Sequence, residues 1–218
     1  MSASHATPVL SAPRRAQCPN CLRPQSACIC ALAQPLQAAT QVLILQHPLE
    51  LQEAKGTARL LQLCLPGSQL VVGEAFDPGQ LQQWLHGPWP GAEAPQQTLL
   101  LYPQTPDQPA ALTALAGSDA PVGVRRLVLI DGTWRKSRKM LYANPLLAQL
   151  PRLALTDTGP AGYRIRKAPR AGQLSTLEAA ALALQQLEAW PDGAPPLQAL
   201  QQSFDGLIAQ YERLRAAH

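Results

Sequence analysis

Arg126-Leu127-Val128-Leu129-Ile130-Asp131-Gly132-Thr133-Trp134-Arg135-Lys136 is the stretch on which the reading of the fold turns. Its apolar run is too short for a helix and too continuous for a half-exposed strand, so it reads as a strand covered on both faces. The polar turn after it holds a carboxylate, and a basic helix follows. Working outward, similar runs stand at Gln41 to Gln46, Gln69 to Phe76, Thr98 to Tyr102 and, more weakly, Arg152 to Thr156. Each is bounded by Pro, Gly, Asp or His, as buried strands are. Helical periods separate them at Leu51 to Leu63, Pro78 to His86, Pro109 to Ala116 and Arg135 to Leu150, the last broken at Asn144-Pro145. Ser175-Thr176-Leu177-Glu178 is a capping box that opens a helix running to Trp190, and a final helix fits Pro196 to Ala216. Strands alternating with helices predict an α/β domain: a parallel sheet with helices on both faces.

The 218 residues suit one such domain with a small appendage. A composition 46% hydrophobic and 15% charged excludes a disordered polymer, and no apolar run nears the roughly 18 residues of a membrane helix. Met1 to Pro13 carry neither a secretory nor a transit pattern, so a cytoplasmic protein with reduced cysteines, and no membrane partner, is expected.

Charge is concentrated. Arg125 to Arg170 hold eleven basic residues against Asp131 and Asp157, whereas the rest of the chain has seven basic and twelve acidic side chains. Such a stretch is the footprint of a phosphate-bearing partner, the alternative being a solvated helix face.

Cys18, Cys21, Cys28 and Cys30 follow C-x2-C-x6-C-x-C. Four thiolates so close suit one closed, structural zinc site, with disulfides or an iron–sulfur cluster as alternatives. The segment 1–38 is therefore read as an N-terminal module and 39–218 as the α/β domain. Cys64, in a leucine-rich period, reads as a small buried hydrophobe.

In open parallel sheets ligands bind beyond the carboxyl ends of the strands. The residues there are His47-Pro48, Tyr102-Pro103, Asp131 to Trp134 and the loop Gly159 to Gln173. Taken alone, Asp131 could simply cap the next helix, with Gly132 allowing a tight turn. His47 suits either a polar lining or a satisfied structural role, and Trp134 and Tyr163 suit either stacking or core.

Several segments together, DGTWRKSRKM from Asp131, LYP from Leu101, HPLE from His47, YRIRKAP from Tyr163 and LSTLEA from Leu174, resemble the DTW-domain family. The likeness runs from Cys18 to about Trp190 and includes the cysteines. It implies a tRNA-uridine aminocarboxypropyltransferase, which moves the 3-amino-3-carboxypropyl group of S-adenosylmethionine to uridine N3; the family's bacterial form acts in the variable loop. It also implies a SPOUT-like fold with a knotted cofactor site, a feature periodicity does not show.

Asp131 is then the candidate base for the imide proton, or alternatively the holder of the cofactor's ammonium. Neighbouring cations would lower its pKa and burial would oppose them. The cofactor falls to Leu101, Tyr102, Pro103, Asp131, Gly132, Thr133, Trp134, Leu174, Ser175 and Thr176, the last two at a helix N-terminus whose N–H groups suit a carboxylate. Arg135, Lys136, Arg138, Lys139, Arg164, Arg166 and Lys167 are the candidate RNA contacts; at helical spacing Lys136 points away from Arg135 and Arg138. A methyltransferase on the same scaffold and a non-catalytic zinc-bearing RNA-binding protein are the competing readings.

Overall fold

The computed structural model describes residues 16–103, 125–155 and 174–216. The expected helix Pro109 to Ala116, Tyr163 and the basic residues Arg164, Arg166 and Lys167 lie outside them. Five strands form one sheet: β1 Gln41–Gln46, β2 Gln69–Val72, β3 Gln97–Leu101, β4 Arg125–Asp131 and β5 Arg152–Leu153. Their order is β2-β1-β4-β3-β5, and every pairing is parallel. From β1 and β4 the connections run outward to opposite edges of the sheet, to β2 and to β5, and at the junction of the two strands Gln46 lies opposite Asp131.

Helices cover both faces, as the unbroken apolarity of the strands requires. Val42 and Ile44 of β1 and Leu127 and Leu129 of β4 face α1 (Ala58–Cys64), α5 (Thr176–Glu188) and α6 (Pro195–Ala216). The alternate residues Leu43, Leu45 and Val128 face α2 (Pro78–His86), α3 (Trp134–Ala143) and α4 (Pro145–Ala148). Cys18, Cys21 and Ile29 of the N-terminal segment belong to the first of these cores, with Phe204 and Leu207. The segment is also stitched to α6 by polar bonds: the Gln34 N–H donates to Ser203 Oγ (3.1 Å) and Gln210 Nε2 to the Cys28 carbonyl (3.2 Å).

The helix starts follow local chemistry. Asp77 accepts the Gln80 N–H at 2.9 Å ahead of Pro78, and Ser175 and Glu178 form the expected reciprocal box. Two expectations are corrected. The period from Leu51 becomes helical only at Ala58, because the carbonyls of Ala54 and Gly56 are turned to the Arg23 guanidinium at 2.9 and 2.8 Å. A Cβ at Gly56 would stand 3.0 Å from the Glu53 carbonyl oxygen, so the turn also relies on glycine. The run from Gln69 leaves the sheet after Val72, not at Phe76. There the Phe76 ring packs against Gly73, where a Cβ would come within 2.4 Å, and the Phe76 N–H donates to Asn144 Oδ1 at 2.9 Å.

Arg126, at the amino end of β4, is fully enclosed. Its guanidinium donates to Gln41 Oε1 and to the carbonyls of Trp84 and Gly87, and stacks 3.9 Å from the Trp89 ring centroid. Desolvation brings its pKa down to about 10.

Candidate active site and metal centre

Asp131 ends the middle strand of the sheet and lies on the face that carries Leu127 and Leu129. It is 7% exposed. Its two oxygens are divided between neighbours: Thr176 Oγ1 donates to Oδ1 at 2.5 Å and Gln46 Nε2 to Oδ2 at 2.9 Å. Burial pushes the carboxyl pKa above its ordinary range, against these two bonds and Lys136, while Glu50 adds to the rise. Of the two opposing effects expected from sequence, desolvation wins. A buried carboxylate with an elevated pKa is a stronger base than an exposed one and a frequent sign of function.

Asp131 does not cap the next helix. Thr133 does, accepting the Lys136 N–H at 3.4 Å. Gly132 is where the two strand ends close up, since a Cβ there would stand 3.2 Å from Lys136 Cβ and 3.5 Å from His47 Cβ. His47 is buried and occupied: its Nδ1 accepts the Leu49 N–H at 3.2 Å, which places the ring hydrogen on Nε2, 2.9 Å from Glu74 Oε2. That is the structural role, and it shapes the turn after β1.

The aromatic pair sits across the rim. Tyr102 follows β3 on the α2–α4 face, and Trp134 begins α3; their centroids are 5.7 Å apart at 76°. Trp134 is 51% exposed, so it is not core. Arg152 donates to the Pro103 carbonyl at 2.8 Å and lies 5.0 Å from the Tyr102 centroid, fixing the turn after β3.

The α5 N-terminus is more occupied than the sequence suggests. The Ser175 N–H donates to Glu178 Oε2 (2.7 Å), the Glu178 N–H to Ser175 Oγ (3.3 Å) and the Leu177 N–H to Thr57 Oγ1 (3.2 Å). What this helix start presents to the site is chiefly the Thr176 hydroxyl, and that is turned onto Asp131. Leu174, just before it, is exposed.

On α3, Arg135, Arg138 and Lys139 are exposed, whereas Lys136 is partly covered. Lys136 Nζ pairs with Glu50 Oε1 at 2.7 Å and Lys139 Nζ with Glu74 Oε1 at 2.9 Å. The acid absent from the helix in sequence is thus supplied by β1 and β2 turns in space. Lys139 and then His47 hold the Glu74 carboxyl below its usual range.

The sequence reading missed Gln46, Glu50, Thr57 and Glu74 as partners of the site. Gln46 had a signal, a polar side chain ending an otherwise apolar strand. Glu74 had none.

The four cysteine sulfurs lie within 4.8 Å of one another, with Cys18 and Cys30 3.6 Å apart and Cys21 and Cys28 3.8 Å apart. A tetrahedron with zinc–sulfur bonds of about 2.3 Å has edges of about 3.8 Å. All five cysteines stand unpaired. The N–H groups of Cys21 and Asn20 pull the Cys18 pKa down to about 6, whereas burial pushes Cys30 up to about 12. The donor set fits a structural metal ion with a closed shell. Cys64 is buried in α1, its thiol 3.4 Å from Ser203 Oγ, and burial raises its pKa.

Fold and site together define a parallel α/β domain with a buried carboxylate at its central carboxyl rim, a basic helix beside it and a four-cysteine cluster that could hold a metal. Residues 15–212 match the DTW domain model, and the chain belongs to the DTW-domain family.

Among its curated relatives are tRNA-uridine aminocarboxypropyltransferase 2 of Drosophila melanogaster, 39% identical over 187 residues, and of Macaca fascicularis, 35% identical over 189. A third, tRNA-uridine aminocarboxypropyltransferase A of Arabidopsis thaliana, is 28% identical over 203 residues. These alignments take in 82 to 83% of this chain, and they span 69%, 59% and 75% of the fly, macaque and plant proteins respectively. No solved structure matches the chain. No helix among the described residues is long and apolar enough to cross a membrane.

Proposed function

We propose that the chain is a transferase that alkylates N3 of a tRNA uridine with the 3-amino-3-carboxypropyl group of S-adenosylmethionine, releasing methylthioadenosine. The observation that carries this reading is the buried Asp131 carboxylate, held by Thr176 and Gln46 at the end of the central strand. The names and identities of the relatives support it.

When bound, the sulfonium supplies an electrophilic propyl carbon. Asp131 takes the N3 proton, the nitrogen's freed electron pair forms the new C–N bond, and the C–S pair leaves on sulfur. Thr176 and Gln46 hold the carboxylate in place at the strand end. Lys136 helps to offset the charge that develops on the imide. Tyr102 and the exposed Trp134 offer an aromatic wall at the rim, where the cofactor would rest with Leu101, Pro103, Gly132, Thr133, Leu174 and Ser175. Arg135, Arg138 and Lys139, joined by Arg164, Arg166 and Lys167, supply phosphate contacts that give affinity without base choice.

A knotted, SPOUT-like cofactor site belongs to this reading. It rests on the family resemblance. The thiolate centre takes zinc as a structural ion, 1–38 forms a module on the 39–218 domain, and the protein works in the cytoplasm.

The test is transfer of label. Purified protein with unmodified tRNA and carboxyl-labelled S-adenosylmethionine should place label in RNA, and methyl-labelled cofactor should not. Methyl transfer would make it a methyltransferase instead. No transfer of either label, with tRNA still bound, would leave a binding protein.

A further inference from the structure

Helix α3 shows solvent an arc made only of aromatic and cationic side chains. At about 100° per residue, Trp134, Arg138, Tyr142, Arg135 and Lys139 fall in that order within about 140° of its circumference. All five are exposed, and the arc holds neither an acid nor an aliphatic residue. The other side carries Ser137, Met140 and Leu141 into the protein.

Tyr142 is the member that the fold does not account for. It is 91% exposed, more than any other large apolar side chain among the described residues, and no hydrogen bond or ring contact engages it there. Helix propensity does not explain it either, since tyrosine ranks below the alanine, lysine or glutamate that suit such a position. A single exposed apolar residue is ordinary, but this one belongs to a stripe. Arg138 stands one turn before it and Trp134 one turn before that, so the stripe runs about 12 Å, from the far end of α3 to the turn that follows Asp131.

The charge of the arc selects the partner. Arg135 and Arg138 have no ion pair among the described residues, whereas Lys139 is held by Glu74. Tyrosine, tryptophan and arginine also favour protein interfaces, but a face with three cations and no acid suits a polyanion that offers flat rings.

We propose that this face of α3 binds unpaired nucleotides of the tRNA, with one base stacked on the Tyr142 ring and its phosphate on Arg138. The inference deepens the function proposed above by naming the contact that selects single-stranded RNA. Bases inside a duplex cannot lie on an exposed ring, so the stacked nucleotide belongs to a loop or an end. Tyr142 lies at the other end of α3 from Asp131, and so grips a nucleotide flanking the target, not the target itself. Stacking accepts any base, which makes Tyr142 a source of affinity and not of sequence choice.

Tyr142→Ala and Tyr142→Phe test this in the full-length, metal-loaded protein, by equilibrium binding of unmodified tRNA over a series of salt concentrations. The ring is too exposed for either change to disturb the core, and an unchanged thermal midpoint checks that. Tyr142→Ala should weaken tRNA binding about tenfold, and Tyr142→Phe, which keeps the ring, should bind as the wild type does. The slope of log K against log salt should hold its wild-type value in Tyr142→Ala, because stacking releases no counterion. Affinity for a blunt RNA duplex should also be unchanged. Wild-type tRNA affinity in Tyr142→Ala overturns the proposal, and so does an equal loss in Tyr142→Phe or on the duplex. Self-association of the wild-type protein that Tyr142→Ala abolishes would assign the face to a second copy of the chain and overturn it too. A wild-type protein that binds no tRNA fails the function itself. One that binds tRNA equally well with alanine at this position fails only in this surface.

Discussion

At the scale of single residues, the divided hold on Asp131 sets both reactivity and stability. Its folded pKa is raised above the ordinary 3.8. A raised folded value means that stability from this group is fully present below the unfolded value and is lost as pH rises through the folded one. Above the ordinary carboxylate pKa, the buried Asp131 therefore costs stability relative to the unfolded chain, and Asp131→Asn removes that cost. The variant should lose about 10²- to 10⁴-fold in kcat, keep tRNA affinity, and melt at or above the wild-type midpoint at pH 7. A lowered midpoint with activity retained would mark Asp131 as purely structural. Thr176→Val removes a donor that stabilises the ionised form. The acidic limb of the kcat/KM profile should move up in pH in that variant relative to the wild type. An unmoved limb would show that another group titrates there.

At the scale of elements, α3 separates cations that face solvent from cations already matched. Arg135 and Arg138 are exposed, whereas Lys136 and Lys139 pair with Glu50 and Glu74. Surface pairs contribute little to stability but compete for a phosphate. Replacing Arg135 and Arg138 by alanine should flatten the slope of log K against log salt by about 0.7 to 0.9 per lost phosphate contact, and Lys136→Ala should flatten it less. Equal slopes for both would show that the ion pairs open on RNA. The pairs also show what was legible in the sequence. Strands β1, β3 and β4, helix α2 and the capping box could be placed because their signals are local: unbroken apolarity, Asp77 before Pro78, Ser175 three residues ahead of Glu178. Lys136 with Glu50 and Lys139 with Glu74 could not, since each pairs residues that only the sheet order brings together. The helix expected from Leu51 fails for the same reason, as the Arg23 guanidinium that claims its carbonyls lies about thirty residues away in sequence. Asp131 was found from its place at a strand end and from the family resemblance. Its partner Gln46 required the register.

At the scale of the whole molecule, the cysteine centre is part of the core. Cys18 and Cys21 belong to one apolar cluster with Ile29, Phe204 and Leu207, so releasing a metal held by the cysteines should loosen α6 as well as the N-terminal segment. Cys21→Ser, or treatment with a strong chelator, should lower the thermal midpoint by an amount on the order of 10 °C, followed by calorimetry alongside metal content. A midpoint independent of metal content would show that the apolar contacts alone hold the segment.

The placement of β4 has a last consequence. It is hydrogen-bonded on both sides, to β1 and β3, and its far end carries the enclosed guanidinium of Arg126. Solvent deuterium should reach the amides of Leu127 to Leu129 later than the others, and only through openings that also part Gln46 from Asp131. The slowest isotope exchange and the loss of turnover then report one event, so a half-opened chain has no catalytic life of its own.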